Sequence, residues 1–518
     1  MEWLFRNPVF IKEMRSKMRQ RRAYTVLTFY LIILGFVFYL CYGMNVLSEG
    51  HIYYVKSDSY AGKYIFIVIA IMQLLLMMST ALTSSITSIT LEKEERTYDL
   101  LRVTPITPFS IVMGKLLFSL AYIFLLFVIS IPIAFLIPYL SGLSFIQVLK
   151  VYLVIMATAV TLSLCGIYCS TIFSKSSHAT GVFYGILFIF VLLPSLFLFG
   201  VGYFEVLNPD KPLWAGITAN PFWTISGILI GNDTTRIYQF NLPISLLYFI
   251  TNLLLSFFIG SLAINNLRER SKRSTVWIRV SFLILFLFIT FINLGSINFR
   301  PKFFYDFSTF ISLQIMLFIL IGWIFCFGDI SQGELKFSSL FKIKRIFYNQ
   351  PSTSLLYLTL LVITSSGVII SCAYSAKIFP KWHLLCLISL GILMITLAWG
   401  SLGLLLNSLF KSRLASRGIF VFIFIIVTLG IILPGMPHYI SDKMVAQETT
   451  HYTLVDMGKM EGIGKIMIHL HPLFSVRGLI GDEFSFVNLP AMTFFWSSMF
   501  FYTIFFLLNM LLKRLFKR

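Results

Sequence analysis

The sequence predicts an all-α polytopic membrane protein of about twelve transmembrane helices, built as two related six-span halves behind an N-terminal interfacial helix. Three observations lead there. Of the 518 residues, 58% are hydrophobic and only 12% are charged, with a mean hydropathy of +0.87, more apolar surface than a soluble fold can hide. The apolar residues collect into runs long enough to cross a bilayer. Two short motifs of the first half also recur, in the same order, in the second.

Asn7-Pro8 opens a segment in which Phe10, Ile11, Met14 and Met18 recur at helical spacing against Lys12, Arg15, Arg19 and Arg22. Such a basic amphipathic helix lies in the membrane interface, and it anchors the first span from the inner side. No cleavable signal is predicted, because the basic stretch before the first apolar run is too long and that run lacks a small-residue cleavage motif. Apolar runs then follow at 23–43, 63–90, 115–139, 150–173, 180–203, 244–266, 277–297, 307–328, 353–374, 383–408, 418–434 and 489–512. The sharpest basic clusters are Arg268, Arg270, Lys272 and Arg273, and the terminal Lys513, Arg514, Lys517 and Arg518. By the positive-inside rule they put both termini in the cytoplasm of a cell whose plasma (inner) membrane holds the chain.

Between the second and third runs lies Leu91–Lys115, where Glu92, Glu94, Glu95 and Asp99 concentrate scarce acids. Glu92 and Arg96 stand four apart with the acid first, the favoured order for a helical ion pair. Tyr98, Leu100 and Leu101 add an apolar face. Pro105 and Pro108 end the helix, and Thr107-Pro108 suits the N-cap and first turn of the next one. On charge pattern alone, this is a solvated loop helix.

The same residues resemble the coupling helix of ABC-2 type transporter permeases. The likeness rests on Glu92-Lys93-Glu94, Arg96, Leu100-Leu101, Pro105, Pro108 and Gly114-Lys115, set after a second span. It departs at Thr97, where the family usually has Gly, and at Asp99, where Glu is usual. The N-terminal segment is similar too, through Asn7, Pro8, Lys12, Glu13 and Arg15. With the flanking spans, the resemblance covers about the first half of the chain. It implies an exporter's transmembrane subunit that docks an ATP-binding cassette subunit through Glu92, Glu94, Glu95, Arg96, Asp99 and Leu101, stiffened by Pro105 and Pro108. ATP and Mg would sit on that partner, whose dimerisation would push the segment and tilt spans one to three. The implied partners are thus the ATP-binding subunit and the lipid bilayer, with a second permease chain left open.

The organisation expected is an interfacial helix at 1–22, a first half at 23–270 with the coupling helix at 91–104, and a second half at 271–518 with a degenerate coupling loop at 329–350. Phe173–Phe183 matches Phe410–Phe420 through Phe, Gly and Phe. Asn220-Pro221-Phe222-Trp223 with Gly227 and Gly231 matches His471-Pro472-Leu473-Phe474 with Gly478 and Gly481. The loop 329–350 keeps Glu334 but is otherwise basic and lacks the paired prolines. The outer connections 204–243 and 435–488 resemble the family's external short helices that dip back before a half's last span.

Several functions are disfavoured. All 21 Asp and Glu residues lie outside the apolar cores or at their ends, whereas ion-coupled carriers need a carboxylate at membrane depth. No Gly-x-x-x-x-Gly-Lys-Ser/Thr occurs, so the chain has no phosphate loop for ATP. His-Glu-x-x-His and Gly-x-Ser-x-Gly are absent, so no membrane enzyme is predicted. The net charge of +20 belongs to inner loops rather than to a nucleic-acid surface. Six cysteines in unpaired positions predict neither disulfide nor metal site. His438, His451, His469 and His471 are too irregularly spaced for a metal centre. Within span two, Thr80, Thr83, Thr87 and Thr90 share a face beside Ser84 and Ser88. They read as helix-packing hydroxyls bonded to the preceding turn, or as the polar wall of a pathway for an amphiphile. The rival functions are an ion-gradient-driven carrier and a non-transporting membrane partner that passes force or signal.

Overall fold

The computed structural model describes residues 7–19, 21–48, 58–141, 143–192, 220–230, 234–237, 240–268, 276–296, 351–375, 382–410, 419–420, 422–423 and 491–515. The chain divides into two compact units, Met1–Ser296 and Ile297–Arg518.

The first unit starts with α1 (Pro8–Met18) and α2 (Arg21–Ser48). Next come α3 (Asp58–Glu94), the six-residue α4 (Tyr98–Val103) and α5 (Pro108–Ser141). α3 has 37 residues, roughly 55 Å at 1.5 Å per residue, against about 30 Å of hydrocarbon. Its charged end therefore reaches beyond the apolar layer. α6 (Phe145–Ile172) begins with a capping box in which Ser144 and Gln147 satisfy each other's backbone amides. α7 (Ser176–Leu187) runs into one π-helical stretch, Phe188–Leu192. A short α8 (Pro221–Ile230), a hairpin of β1 (Thr234–Ile237) and β2 (Phe240–Pro243), α9 (Ile244–Leu267) and α10 (Val276–Ser296) complete the unit. The strands pair antiparallel, Thr234 opposite Pro243 and Ile237 opposite Phe240.

α6 is the central post, packed against α3, α5, α8 and α9. Its closest approach is at Gly166, where an added Cβ would fall 1.9 Å from the Ser85 Oγ of α3. Small residues allow such contact between membrane helices, and hydroxyls bridge it. Ser84 bonds Ser119 at 2.8 Å and Ser119 bonds Ser163 at 3.1 Å, joining α3, α5 and α6. Thr158 meets the Tyr248 hydroxyl at 2.8 Å, and Thr161 donates to Asn252 at 2.7 Å, joining α6 to α9. Apolar side chains such as Leu74, Ala81, Ile123, Val151 and Ile225 fill the space between these bonds.

α8 is a short helix within 204–243, the range in which one was expected. It is buried along almost its whole length, and its Ile228 carbonyl accepts from Gln147 at the start of α6. It therefore sits at the end of the unit opposite α4. Asn220 caps it by accepting from the Phe222 amide while donating to the Val191 carbonyl.

The second unit contains α11 (Pro351–Ser375), α12 (Trp382–Leu409) and α13 (Ala491–Leu515). α12 packs against both of the others. Asn509 of α13 donates to Ser401 of α12 at 3.4 Å, and the Trp399 and Phe420 rings meet edge-on.

The membrane protein is all-helical among the described residues, apart from one hairpin. Among the described residues six helices are long and apolar enough to cross, within Phe66–Glu94, Pro108–Pro132, Phe145–Ile172, Ile244–Leu267, Ser389–Leu409 and Trp496–Leu515. Shorter apolar stretches occupy α2, α10 and α11. The predicted span 307–328, the loop 329–350, most of the span 418–434 and the four histidines of 435–488 lie outside the described residues.

Candidate coupling site

α3 does not carry its helix through the acidic segment. It ends at Glu94, and Arg96 turns left-handed at φ 58°. The Thr97 amide then reaches back to the Glu92 carbonyl at 2.9 Å, and the Arg96 amide to Lys93 at 3.3 Å. This is the reversal that closes helices, usually on glycine, here on an arginine. The Glu92–Arg96 pair expected from their spacing does not form, because Arg96 has already left the helix. α4 follows, shorter than the expected 91–104. Pro105 lies in the link to α5, and Pro108 takes the first turn of α5. The Thr107 Oγ1 accepts from the Ser110 amide at 3.2 Å, the cap the sequence indicated.

Glu92 instead faces Lys115. The Lys115 side chain has 0% exposure, and its Nζ lies 3.1 Å from Glu92 Oε1 and 3.3 Å from Glu13 Oε1. It also donates to the Ser88 carbonyl. One ammonium thus ties α1, α3 and α5 together. Asn7 reinforces the tie: its Nδ2 donates to the Ser110 carbonyl at 2.8 Å, and its Oδ1 caps α1 through the Val9 amide. Gly114 makes room, since a Cβ there would meet Asn7 Oδ1 and Val9 Cβ at 2.9 Å.

The two neighbours of Glu92 hold other helices. Lys93 Nζ donates to the carbonyls of Ser170, Thr171 and Phe173 at 2.8 to 2.9 Å, closing the C-terminus of α6. A cation there also meets the negative end of the helix dipole. Glu94 Oε1 accepts from the Ser176 amide at 2.6 Å and its hydroxyl at 2.7 Å, capping the first turn of α7. The end of α3 is therefore bolted to α1, α5, α6 and α7.

With those charges engaged, the outward face of the turn is Glu95, Arg96, Asp99 and two apolar residues. Leu100 is 71% exposed and Val103 85%, and at i and i+3 they share one side of α4. The expectation had placed the apolar contact on Leu101, which lies on α4 but whose side chain is outside the described residues. Lys12 and Arg15 are exposed on α1, Glu13 half-buried and Asn7 buried.

A family model described as "ABC-2 family transporter protein" matches residues 7–323. The chain belongs to that family. The match starts at Asn7 itself and takes in α1, the α3–α5 turn and every described element of the first unit. No curated protein matches the chain. Membership makes it an integral membrane component of a transporter rather than a catalyst.

As an ABC-2 protein it carries the acidic segment in two roles, which the sequence had merged. Glu92 and Glu94 brace the bundle, while Glu95 and Asp99 face outward. Lys115 and Lys93 were the partners that spacing could not reveal, although a lysine about two turns inside the long apolar α5 is itself a signal, since burying it is costly. The threonines of α3 fall short of a single wall. Thr80, Thr83, Thr87 and Thr90 each donate to a carbonyl of the preceding turn. Thr83 and Thr87 are exposed and Thr90 is buried.

Proposed function

We propose that the chain is the permease subunit of an ABC-2 exporter and that α4, with Glu95 and Asp99, docks a separate ATP-binding cassette subunit. That subunit holds ATP and Mg and hydrolyses the nucleotide. The chain lies in the plasma (inner) membrane with both termini and the α3–α5 turn in the cytoplasm, and two six-span halves form the translocation unit. The observation that carries this reading is an exposed apolar pair, Leu100 and Val103, flanked by carboxylates on a turn braced into four helices. Apolar residues held rigidly in water beside charge are what an interface presents. Thr83 and Thr87, exposed in the membrane half nearest the turn, line the path in this reading.

The test is co-purification of the ATP-binding subunit with variants of the full chain. Glu95→Lys with Asp99→Lys should weaken capture by opposing like charges at the interface, and Leu100→Asp should do the same by wetting its apolar centre. Both should leave membrane yield intact, because all three side chains are exposed. Capture equal to the parent in both variants would refute α4 as the docking site. Loss on reversing Glu334 alone would move the site to 329–350.

A further inference from the structure

An apolar cleft of about 750 Å³ opens between α5, α6, α9 and the start of α10, outside the coupling turn. We infer that it seats one anionic phospholipid, with its acyl chains along α9 and its phosphate at Arg268, in the leaflet nearest the coupling turn.

The walls are aliphatic and aromatic for most of their length: Leu116 from α5, Leu164 from α6, and Leu253 and Phe257 from α9. Polar groups gather at one end, where Asn265 and Arg268 lie beside Trp277 of α10. From Leu253 to Arg268 the cleft follows about 22 Å of helix at 1.5 Å per residue. That is about the depth of one leaflet with its headgroup zone, half of the roughly 40–45 Å bilayer. Leu253, Phe257 and Trp277 are exposed, so the cleft opens sideways toward lipid rather than into water. A tryptophan at that depth is where aromatic side chains mark the membrane–water boundary.

The side is set by contacts within the unit. Phe109, in the first turn of α5, lines the cleft, and Asn266 bonds Thr171 at the end of α6 that Lys93 closes. The polar mouth therefore shares a level with the coupling turn. The charge there favours an anion. Among the residues lining the cleft, Arg268 is the charged one. Basic pockets between membrane helices select anionic headgroups on this principle. The partial negative charge at the C-terminus of α9 opposes it by about half a unit, less than one guanidinium supplies. A soluble ligand has no use for an apolar slot that opens into hydrocarbon, and a neutral lipid has none for the basic mouth.

Gly260 supplies the means of blocking the cleft. A Cβ there would meet only Leu164 Cδ2, at 3.9 Å. Gly260→Ala is accommodated, whereas Gly260→Leu projects into the space the chains would occupy.

The experiment is native mass spectrometry of the full-length chain, delipidated in detergent and titrated with dioleoyl phosphatidylglycerol or dioleoyl phosphatidylcholine. The parent and Gly260→Ala should retain one phosphatidylglycerol at about tenfold lower lipid concentration than phosphatidylcholine, the separation expected of one charge-assisted contact. Arg268→Gln should remove that preference, and Gly260→Leu should abolish the retained lipid of either kind. Glycerol phosphate, a head without chains, should not compete. Equal retention of the two lipids by the parent, an unchanged preference in Arg268→Gln, a bound lipid surviving in folded Gly260→Leu, or displacement by glycerol phosphate would each overturn the assignment. Where Gly260→Leu fails to fold, the Arg268→Gln comparison and the competition decide it.

Discussion

Replacing Lys115 by Met tests whether the α3–α5 turn is held by one buried cation. The substitution keeps the length and packing of the stem but removes the charge that Glu92, Glu13 and the Ser88 carbonyl share. At an effective dielectric near 20, an ion pair at 3.1 or 3.3 Å is worth roughly 5 kcal/mol before desolvation. Burying the ammonium consumes several kcal/mol of that sum. What decides the outcome is what remains behind. Glu92 keeps only 12% side-chain exposure, and its second oxygen already lacks a hydrogen-bond partner. Removing one member of a buried pair costs about 3–5 kcal/mol when the other stays charged. Glu13, at 25% exposure, can rehydrate. The lower end, about 3 kcal/mol, is therefore expected.

For a unit spanning Met1–Ser296 that loss corresponds to a fall of roughly 5 °C in the unfolding midpoint, read by thermal unfolding of the purified chain in detergent. Glu92→Gln removes the stranded charge, so the double variant should recover part of the loss, with a coupling energy of about 1–3 kcal/mol. A Lys115→Met midpoint within about 1 °C of the parent, which is a few tenths of a kcal/mol, would refute the network. Strict additivity of the two substitutions would refute the pairing with Glu92.

Arg96→Gly should raise stability by about 1 kcal/mol, since a left-handed L-residue costs roughly that much more than glycine; chemical denaturation reads it, and a loss of stability would contradict the turn. Asn7→Ala should cost about 1 kcal/mol for the lost cap and, with its bonds to Ser110 gone, speed proteolysis between α1 and α2. Gly114→Val should free α1 more completely, because its side chain would displace Asn7 and Val9, and unchanged cleavage in both variants would argue against the docked helix. Purified alone, the chain should hydrolyse no ATP, for want of a phosphate loop; robust hydrolysis by a homogeneous sample would sink the permease reading. Reporter fusions after Arg22, Lys272, Lys344 and Arg518 should read cytoplasmic and those within 204–243 and 435–488 external, and an external reading at Lys344 would break the two-half scheme.

Local chemistry was legible in the sequence wherever cause and effect lie within a few residues. Thr107 caps α5 and the threonines of α3 bond to the turn before them, both as their spacing indicated. The Glu92–Arg96 pairing failed because an i, i+4 pattern presupposes that the helix continues, and nothing around Glu94 announces a stop. Glycine would have done so, but the left-handed position is Arg96. Roles that depend on distant partners were not legible. Lys115 finds Glu13 across 102 positions, and Lys93 finds Ser170 across 77. Periodicity carries no information on such pairings, which arise only when four helices converge. Leu100 was named in the apolar face of α4, but Val103 was missed for a related reason: it joins Leu100 as an exposed residue only once the turn at Arg96 has fixed the rotation of α4.

The division of charges at the end of α3 also explains how so short a helix could act on a large bundle. A six-residue helix has no rigidity of its own, since isolated helices of that length are marginal in water. α4 therefore relays a push only through what holds its ends. On one side is the α3 terminus, with Glu92 on Lys115, Lys93 on the last carbonyls of α6, and Glu94 on the first amide of α7. On the other is the Pro105–Pro108 link, whose fixed φ angles limit bending, leading to the Thr107 cap and the Asn7 clasp on Ser110. Under the proposed docking, load on Leu100 and Val103 enters α3 and α5 together. Lys115 then shares it with α1, and Lys93 and Glu94 with α6 and α7. Each of these links is ionic or hydrogen-bonded and directional, so displacement of the turn moves helix ends as a set rather than fraying α4 alone. In that proposed docking, buried charge would serve transmission, and the apolar residues left in water would serve recognition.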